Sequence, residues 1–406
     1  MTPPHPWVLY IHDAKYYSGC EAYRMMLPAE ALRQQGFGIA VEHVSTVEKL
    51  VRQSLAGQGQ GPAIFDIIVS PRAGLWGPDK EPALRQLRQA GKKLVVEVDD
   101  DFTNEYREVI TPEHHLNFWT YIRKWADAIL VTTEYLATRM RKWSYGKPVY
   151  VLPNSVEWDK WQDLPRSPRL TLGLTGSITH YRDWQVLATV LPDLLRRYPD
   201  VDLYIAGFIP DYFAPLTTEF GERVTLDMTW CDYRDYPARV AREDIGLCPV
   251  HPAEPFNLSK SGIKAIEILA AGGTPIATNH PIYYPVLAQG RGLLVEHTPE
   301  AWLTGISTLI EHPELRARLT AAGRARVRER YAIDRTAVLW QRAFESIWSK
   351  EQSHEYTSDD RRLRVRPPDR NGDRDRREHR SRERGELLLA QSPRSNAGPS
   401  GGRAYL

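Results

Sequence analysis

Cysteine is scarce in this chain of 406 residues, where it occurs only at Cys20, Cys231 and Cys248. Three widely separated cysteines form neither the even-numbered framework of a disulfide-stapled domain nor the closely spaced pairs of a zinc site. We therefore expect three reduced thiols.

Long apolar runs are also missing. No stretch approaches the roughly 18 apolar residues that a membrane-spanning helix needs. The amino-terminal residues MTPPHPWVLYIHD lack the basic region and apolar core of a secretory signal peptide. A hydrophobic content of 42% and a charged content of 26% are typical of globular proteins, and the length allows two domains with large cores. These features predict a soluble, cytoplasmic protein.

The chain has little excess of either charge, with a formal net charge of +2. Residues 351–406 contain 13 Lys and Arg against 10 Asp and Glu, which leaves 40 against 41 in the first 350 residues. A nearly neutral body argues against a protein that coats nucleic acid, because the basic surface of such a protein lies on the fold itself.

The last part of the chain, residues 351–406, has a composition of its own. Between Arg361 and Arg384 there are eleven arginines and five acidic residues with almost nothing apolar. Such a segment cannot bury enough apolar surface to fold alone, and we expect a disordered, Arg-rich tail. It would contact an anionic lipid or nucleic-acid surface only weakly, and simple solvation is the alternative.

Short apolar runs alternate with amphipathic helical segments through the rest of the chain. Runs such as WVLYIH at 7–12, KLVVEV at 93–98 and AILVT at 128–132 have the pattern of buried parallel strands. A stretch with Pro165, Ser167 and Pro168 follows, and the alternation then begins again. This pattern predicts an α/β protein with two Rossmann-like domains.

The most informative stretch, residues 254–279, reads EPFNLSKSGIKAIEILAAGGTPIATN. It predicts a helix over 259–271 with Asn257 or Ser259 as its N-cap, ended by two glycines and followed by a buried strand over 274–278. Lys260, Lys264 and Glu267 are spaced to share one face of that helix.

Two of these side chains have a chemistry suited to a nucleotide. Lysines near a helix N-terminus oppose the helix dipole, but they make sense if an anion such as a diphosphate binds there. Glu267 could accept two hydrogen bonds from the diol of a sugar such as ribose. The alternative is that Lys260 and Glu267 are solvated side chains without a function.

The pattern FN-x-x-KS-x-x-K-x-x-E resembles the donor-binding helix of retaining glycosyltransferases of the GT-B fold, in the large family 4 group that uses nucleotide sugars. The common motif has two glutamates; Ser259 stands in place of the first, and Glu267 matches the second, which holds the nucleotide ribose. The resemblance assigns Asn257 and Ser261 to binding of the nucleotide-sugar donor and Lys260 to a catalytic role at its phosphates, and it covers about residues 7–348.

Two other segments carry the same resemblance. The sequence KYYSGCEAYR, with Gly19, resembles the glycine-rich loop that faces the donor phosphates and the acceptor, and PNSV at 153–156 resembles the hinge loop. The resemblance implies an acceptor-side domain at 1–158, a nucleotide-sugar-binding domain at 169–333, a cleft between them, and a helix at 334–350 that crosses back to the first domain.

The second half opens with a strand and the loop TGSITHYRDW. Gly176 and Ser177 permit a tight turn there, and in the resemblance His180 and Arg182 are the candidates for contact with the diphosphate. Trp230 lies where the family binds the base; stacking on the base and packing in the protein are both open for it.

Three carboxylates, Asp99, Asp100 and Asp101, follow the fourth predicted strand and would lie at the crevice edge. We expect them to face the acceptor, where one of them would act as a base or orienting group for its hydroxyl. A cluster that binds metal or phosphate, and a simple helix cap, are the alternatives. The triplet also resembles the metal-binding motif of GT-A enzymes, but those lack a second Rossmann half, and we predict no metal site.

The resemblance implies a metal-independent glycosyltransferase that uses a UDP-, GDP- or ADP-linked sugar, with retention, and no cofactor besides this donor. Lys260, the helix N-terminus and the His180 loop would stabilise charge on the leaving diphosphate. The acceptor stays open among glycan, lipid-linked, protein and nucleic-acid hydroxyls. Alternatives are an enzyme that glycosylates nucleic-acid bases, a sugar-nucleotide epimerase, and a noncatalytic sugar-nucleotide-binding protein.

Overall fold

The structure, a computed structural model, describes residues 5–12, 19–43, 65–71, 80–101 and 112–349. The predicted tail at 351–406 and the first four residues of the segment KYYSGCEAYR lie outside the described residues. In the described part of the chain, no helix combines the length and the apolar character required to cross a membrane.

The described strands of the first half form a six-stranded parallel sheet with the order β2-β1-β3-β4-β5-β6. These strands are β1 (Val8–His12), β2 (Ile39–His43), β3 (Ile67–Pro71), β4 (Lys93–Val98), β5 (Ala128–Val131) and β6 (Val149–Val151).

The second half forms another six-stranded parallel sheet, with the order β12-β11-β10-β7-β8-β9. Its strands are β7 (Leu170–Gly176), β8 (Val201–Gly207), β9 (Val224–Asp227), β10 (Ile245–Cys248), β11 (Thr274–Thr278) and β12 (Leu293–Val295). The predicted fold class of two Rossmann-like α/β halves is confirmed, while the domain boundaries stay predictions.

Helices connect these strands. They are α1 (Gly19–Glu21), α2 (Leu27–Gln34), α3 (Glu81–Gln89), α4 (Pro112–Lys124), α5 (Glu134–Trp143), α6 (Leu187–Arg197), α7 (Ala214–Phe220), α8 (Tyr236–Val240), α9 (Ile263–Ala270), α10 (Tyr284–Leu287), α11 (Pro299–Glu311), α12 (Pro313–Arg330) and α13 (Ile333–Ser349).

Apolar side chains cover the sheets, and strands β5 and β10 are buried along their whole length. Helix α13, the last that the structure describes, packs on the first sheet. Its Trp340 and Phe344 lie with ring centroids 6.4 and 6.1 Å from that of Tyr10 on β1. Helix α13 therefore completes the core of the first half.

Strand order reverses at one place in each sheet: between β1 and β3, and between β7 and β10. Connections on the two sides of such a point leave in opposite directions, and a crevice opens outside the carboxyl ends of the strands. The β7–β10 boundary is therefore the place in the second half where the fold itself favours a ligand.

A π-helical turn, Ala22–Met26, joins α1 to α2. Pro28, just beyond it, has no N–H to donate to the carbonyl of Arg24, and its ring would crowd that carbonyl in a regular helix. The chain instead makes the wider hydrogen bond from the N–H of Leu27 to the carbonyl of Ala22.

Arg24 points from this turn into the core, where its side chain is 1% exposed. Its Nε lies 2.6 Å from Oε1 of Glu97 on β4, and its Nη1 donates to the carbonyl of Leu152 at 2.5 Å and to Oδ1 of Asn154 at 3.1 Å. The guanidinium also lies 5.0 Å from the ring of Trp340. One buried cation thus joins the first helix, the first sheet and the last helix.

We expect Arg24→Met to lower the free energy of unfolding by about 3 to 5 kcal/mol, because Glu97 would keep a buried charge without its partner. Urea denaturation followed by tryptophan fluorescence measures this loss. Adding Glu97→Leu should recover most of it.

The matched control is Arg85→Met, which breaks an ion pair on the surface of α3, where Arg85 is 61% exposed. We expect a loss of no more than about 0.5 kcal/mol there. Equal losses for the two arginines would show that the buried pair does not hold these elements together.

Candidate functional site

The candidate site lies at the carboxyl ends of β7, β10 and β11, around the strand-order reversal of the second sheet. Its first loop follows Gly176, where a Cβ would lie 2.7 Å from the ring of Trp184 and 2.9 Å from that of His180. A side chain at position 176 would therefore displace both rings. Ser177, also predicted, forms a 2.9 Å hydrogen bond with Thr179 within the same loop.

The carboxylate of Asp183, 2% exposed, is the centre of this site. Its Oδ2 lies 2.9 Å from Nδ1 of His180 and 3.4 Å from Nζ of Lys260. Its Oδ1 accepts from Nδ2 of Asn257 and from the backbone N–H of His251, both at 2.7 Å. Three predicted site residues, His180, Asn257 and Lys260, thus contact the carboxylate of Asp183, which was not predicted as a site residue.

The surroundings change the protonation of both groups in the His180–Asp183 pair. Burial alone raises the pKa of Asp183, but the hydrogen bond from His180 and the charge of Lys260 outweigh it and hold that pKa below its ordinary value. Burial, followed by the charge of Lys260, lowers the pKa of His180 to about 4. Asp183 is therefore an anion at neutral pH, and His180 is neutral.

The predicted helix start at Ser259 is wrong. A 3₁₀ turn, Pro255–Ser259, comes first, Lys260 is extended, and α9 begins at Ile263. Neither expected residue caps this helix, because Asn257 and Ser259 both lie in the 3₁₀ turn and Gly262 directly precedes α9. The amide of Asn257 instead donates to Asp183, and the hydroxyl of Ser259 donates to the carbonyl of Phe256 at 2.6 Å. Lys260 therefore lies ahead of the helix, with its side chain 11% exposed.

Glu267, on α9, lies in a second polar cluster, and its side chain is 2% exposed. Its Oε1 accepts from the hydroxyl of Tyr23 at 2.5 Å, and its Oε2 accepts from the hydroxyl of Tyr236 at 3.2 Å and from Nζ of Lys264 at 3.3 Å. Burial alone lowers the pKa of Lys264, but the charge of Glu267 outweighs it and raises that pKa. The predicted common face thus divides: Lys264 pairs with Glu267, and Lys260 pairs with Asp183.

Ser261 lies between these two clusters and contacts the first half. Its hydroxyl accepts from Nδ2 of Asn154 at 2.9 Å, and Asn154 in turn accepts from Arg24. A polar connection therefore runs from the π-helical turn of the first half to the segment that precedes α9. Gly19, another predicted residue, begins the helical segment that carries this turn.

Other predicted residues have different surroundings. Arg182 forms a 3.1 Å ion pair with Glu254 at the surface. Trp230 follows β9 and is 60% exposed. Asp101 is buried and forms a 3.0 Å ion pair with Arg139 on α5. Their functional roles stay predictions.

The other two carboxylates of the triplet also follow β4. Asp99 is buried, and its carbonyl accepts from the hydroxyl of Thr132 at 3.2 Å, while Asp100 is partly exposed. The three residues thus differ in burial, and the ion pair of Asp101 with Arg139 helps to fix α5 to the sheet.

Three residues of the site were missed: Asp183, Tyr23 and Tyr236. The spacing of His180 and Asp183, three residues apart after a glycine turn, is a signal that could have identified the first. Tyr23 meets Glu267 across 244 residues of sequence, and no local pattern indicates such a contact.

Comparison with known proteins finds similarity to glycosyltransferases. Residues 187–342 match the family model described as "Glycosyl transferase-like". The phosphatidyl-myo-inositol mannosyltransferase of Mycobacterium tuberculosis is 27% identical over 227 residues, which are 52% of this chain and 58% of that protein. The chain thus spans little more than half the length of the curated relatives it matches.

Solved structures resemble the whole two-sheet arrangement. Sucrose-phosphate synthase from Thermosynechococcus elongatus superposes with a TM-score of 0.65 at 15% identity, covering 85% of this chain and 99% of its own. Anabaena HepE, in complex with UDP-glucose, has a TM-score of 0.58 at 14% identity, covering 84% and 99%. The match over residues 187–342 shows similarity to glycosyltransferases in the second half, and the double parallel-sheet arrangement is the fold of two-domain GT-B glycosyltransferases.

Proposed function

We propose that the protein transfers a sugar from a nucleoside diphosphate sugar to an acceptor hydroxyl, with retention of configuration. The observation that carries this proposal is the cluster of Lys260, His180 and Asn257 on the buried Asp183, at the carboxyl ends of β7 and β10. In this fold, that edge is where nucleotides bind.

Departure of a nucleoside diphosphate is the step that this cluster suits. Negative charge grows on the leaving phosphate, and a cation held in place beforehand stabilises it without further reorganisation. Asp183 keeps the ammonium of Lys260 at the site through the 3.4 Å contact. Lys260 is therefore the main positive charge that stabilises the leaving diphosphate, and His180 lies next to it.

Glu267 takes the role of the group that binds the ribose, as the family resemblance implies. Because its carboxylate is charged and buried, a hydroxyl that donates to it forms a strong bond. Complexes of related folds support a nucleotide-sugar donor, since Anabaena HepE was crystallised with UDP-glucose. The base, the sugar and the acceptor of this protein are left to experiment.

A donor screen tests the proposal. Wild-type protein is incubated with radiolabelled UDP-, GDP- and ADP-sugars without acceptor, and released sugar is measured. We expect slow hydrolysis of one nucleotide class, and Lys260→Met should reduce the rate about 100- to 1,000-fold, as the loss of a preorganised charge does in other enzymes.

The control for this screen is Lys160→Met, which removes an exposed lysine outside the site and should leave the rate unchanged. The melting temperatures of both variants show whether a lower rate of hydrolysis comes from a defect in catalysis or from a loss of folded protein. Binding of a sugar nucleotide without hydrolysis would favour the noncatalytic alternative, and an active Lys260→Met variant would contradict the role of the lysine.

A second prediction concerns protons. His180 is neutral at about pH 6 because its pKa is about 4, and a bound diphosphate would raise that pKa by favouring the charged ring. Nucleotide binding at this pH should therefore take up protons. Calorimetry in two buffers with different ionisation enthalpies measures the uptake.

His180→Gln is the comparison for this measurement, because it cannot titrate but keeps a side chain that can hydrogen-bond to Asp183. The proton uptake should fall by the share that His180 contributes. Equal uptake by wild type and variant would show that no anion binds next to this ring.

A further inference from the structure

Glu267 already has a partner from the first half of the molecule at the place where the proposed function needs a ribose. Oε1 accepts from Tyr23 at 2.5 Å, while Tyr236 and Lys264 serve Oε2. Because the carboxylate is only 2% exposed, a ligand hydroxyl cannot reach Oε1 unless the phenol of Tyr23 moves away.

The two tyrosines on this carboxylate come from different halves. Tyr236 begins α8, in the same half as Glu267, and its hydroxyl also accepts from Lys264 at 2.9 Å. Tyr23 lies in the π-helical turn of the first half. Of the two tyrosine bonds to Glu267, only the one from Tyr23 therefore joins the two halves.

The turn that carries Tyr23 is firmly fixed to the first sheet. The next residue, Arg24, is bound to Glu97 and to the carbonyl of Leu152. Tyr23 thus cannot leave Glu267 by a local loosening of its turn without breaking a buried ion pair. Its hydroxyl leaves either by a change of side-chain rotamer or by a movement of one half relative to the other.

Tyr23 also has the chemistry of the group it would replace. A phenol that donates one hydrogen bond to a carboxylate does what a ribose hydroxyl does. Burial, and then the charge of Glu267, raise the pKa of Tyr23 well above its ordinary value, which keeps the phenol protonated as a donor.

We propose that Tyr23 occupies the position on Glu267 that a hydroxyl of the donor ribose takes, so that the donor and the first half compete for one carboxylate. Tyr23 is then a positioning residue that sets the affinity for the donor and gives up its own bond to the second half when the donor binds. This inference rests on the proposed function, in which Glu267 binds the ribose.

The test compares Tyr23→Phe with wild type in calorimetric binding of the nucleoside diphosphate, among UDP, GDP and ADP, that binds most tightly. Without the competing hydroxyl, Tyr23→Phe should bind about three- to tenfold more tightly, the range expected for one hydrogen bond exchanged at a buried group. The matched control is Tyr236→Phe, which loses a bond to the same carboxylate from within the same half and should bind no more tightly than wild type.

A 2′,3′-dideoxy form of the same nucleotide separates competition from general loosening of the structure. It lacks the hydroxyls that would bind Glu267, so the gain from Tyr23→Phe should disappear. An equal gain for both nucleotides, or unchanged or weaker binding by Tyr23→Phe, would overturn the inference and leave the proposed function intact. If neither wild type nor Tyr23→Phe binds any of the three nucleotides, the proposed function fails and the inference fails with it.

Discussion

The geometry of the candidate site depends on the buried carboxylate of Asp183. An ionised group in this environment is stable only if donors surround it, and here a lysine, a histidine, an amide and a backbone N–H do so. The same requirement holds its partners in place. Lys260 and His180 come from segments about 80 residues apart, and their common bond to Asp183 brings them to one edge of the second sheet.

The site has a second part, which belongs to both halves. Glu267 and Ser261 lie in the second half, but Tyr23 and Asn154 of the first half bind them. Both connections lead back to the π-helical turn, which exists because Pro28 cannot complete a regular helix. The π-helical turn therefore helps to determine which groups surround Glu267 and Ser261, where the donor would bind.

The fold could be predicted well from sequence because its signals are local. Buried apolar runs such as KLVVEV and AILVT indicate parallel strands directly. The same alternation of strands and helices begins again after Pro168 and indicates a second half. The helix start at Ser259 could not be predicted in the same way. Asn257 and Ser259 are good caps by residue type, but in the folded protein both lie in a 3₁₀ turn, and the amide of Asn257 contacts Asp183, 74 residues earlier in the chain. A contact over that distance leaves no signal in the local sequence.

The site was predictable in part for the same reason. Lys260, His180 and Asn257 stand in recognisable motifs, and the fold brings them together. Asp183 could have been identified from its spacing to His180. Tyr23 could not, because its partner Glu267 is 244 residues away and spacing in sequence does not reveal such a contact. Lys260 and Lys264 were predicted to share one face of a helix. Because Lys260 is extended and lies before α9, it pairs with Asp183, whereas Lys264 on α9 pairs with Glu267.

The most direct measurement is a crystal structure of the protein with the nucleoside diphosphate that it binds. We expect a phosphate oxygen within about 3.2 Å of Nζ of Lys260, at the carboxyl ends of β7 and β10. A nucleotide bound elsewhere on the molecule, with Lys260 still in contact with Asp183 and His180 but with no phosphate, would contradict this role of Lys260.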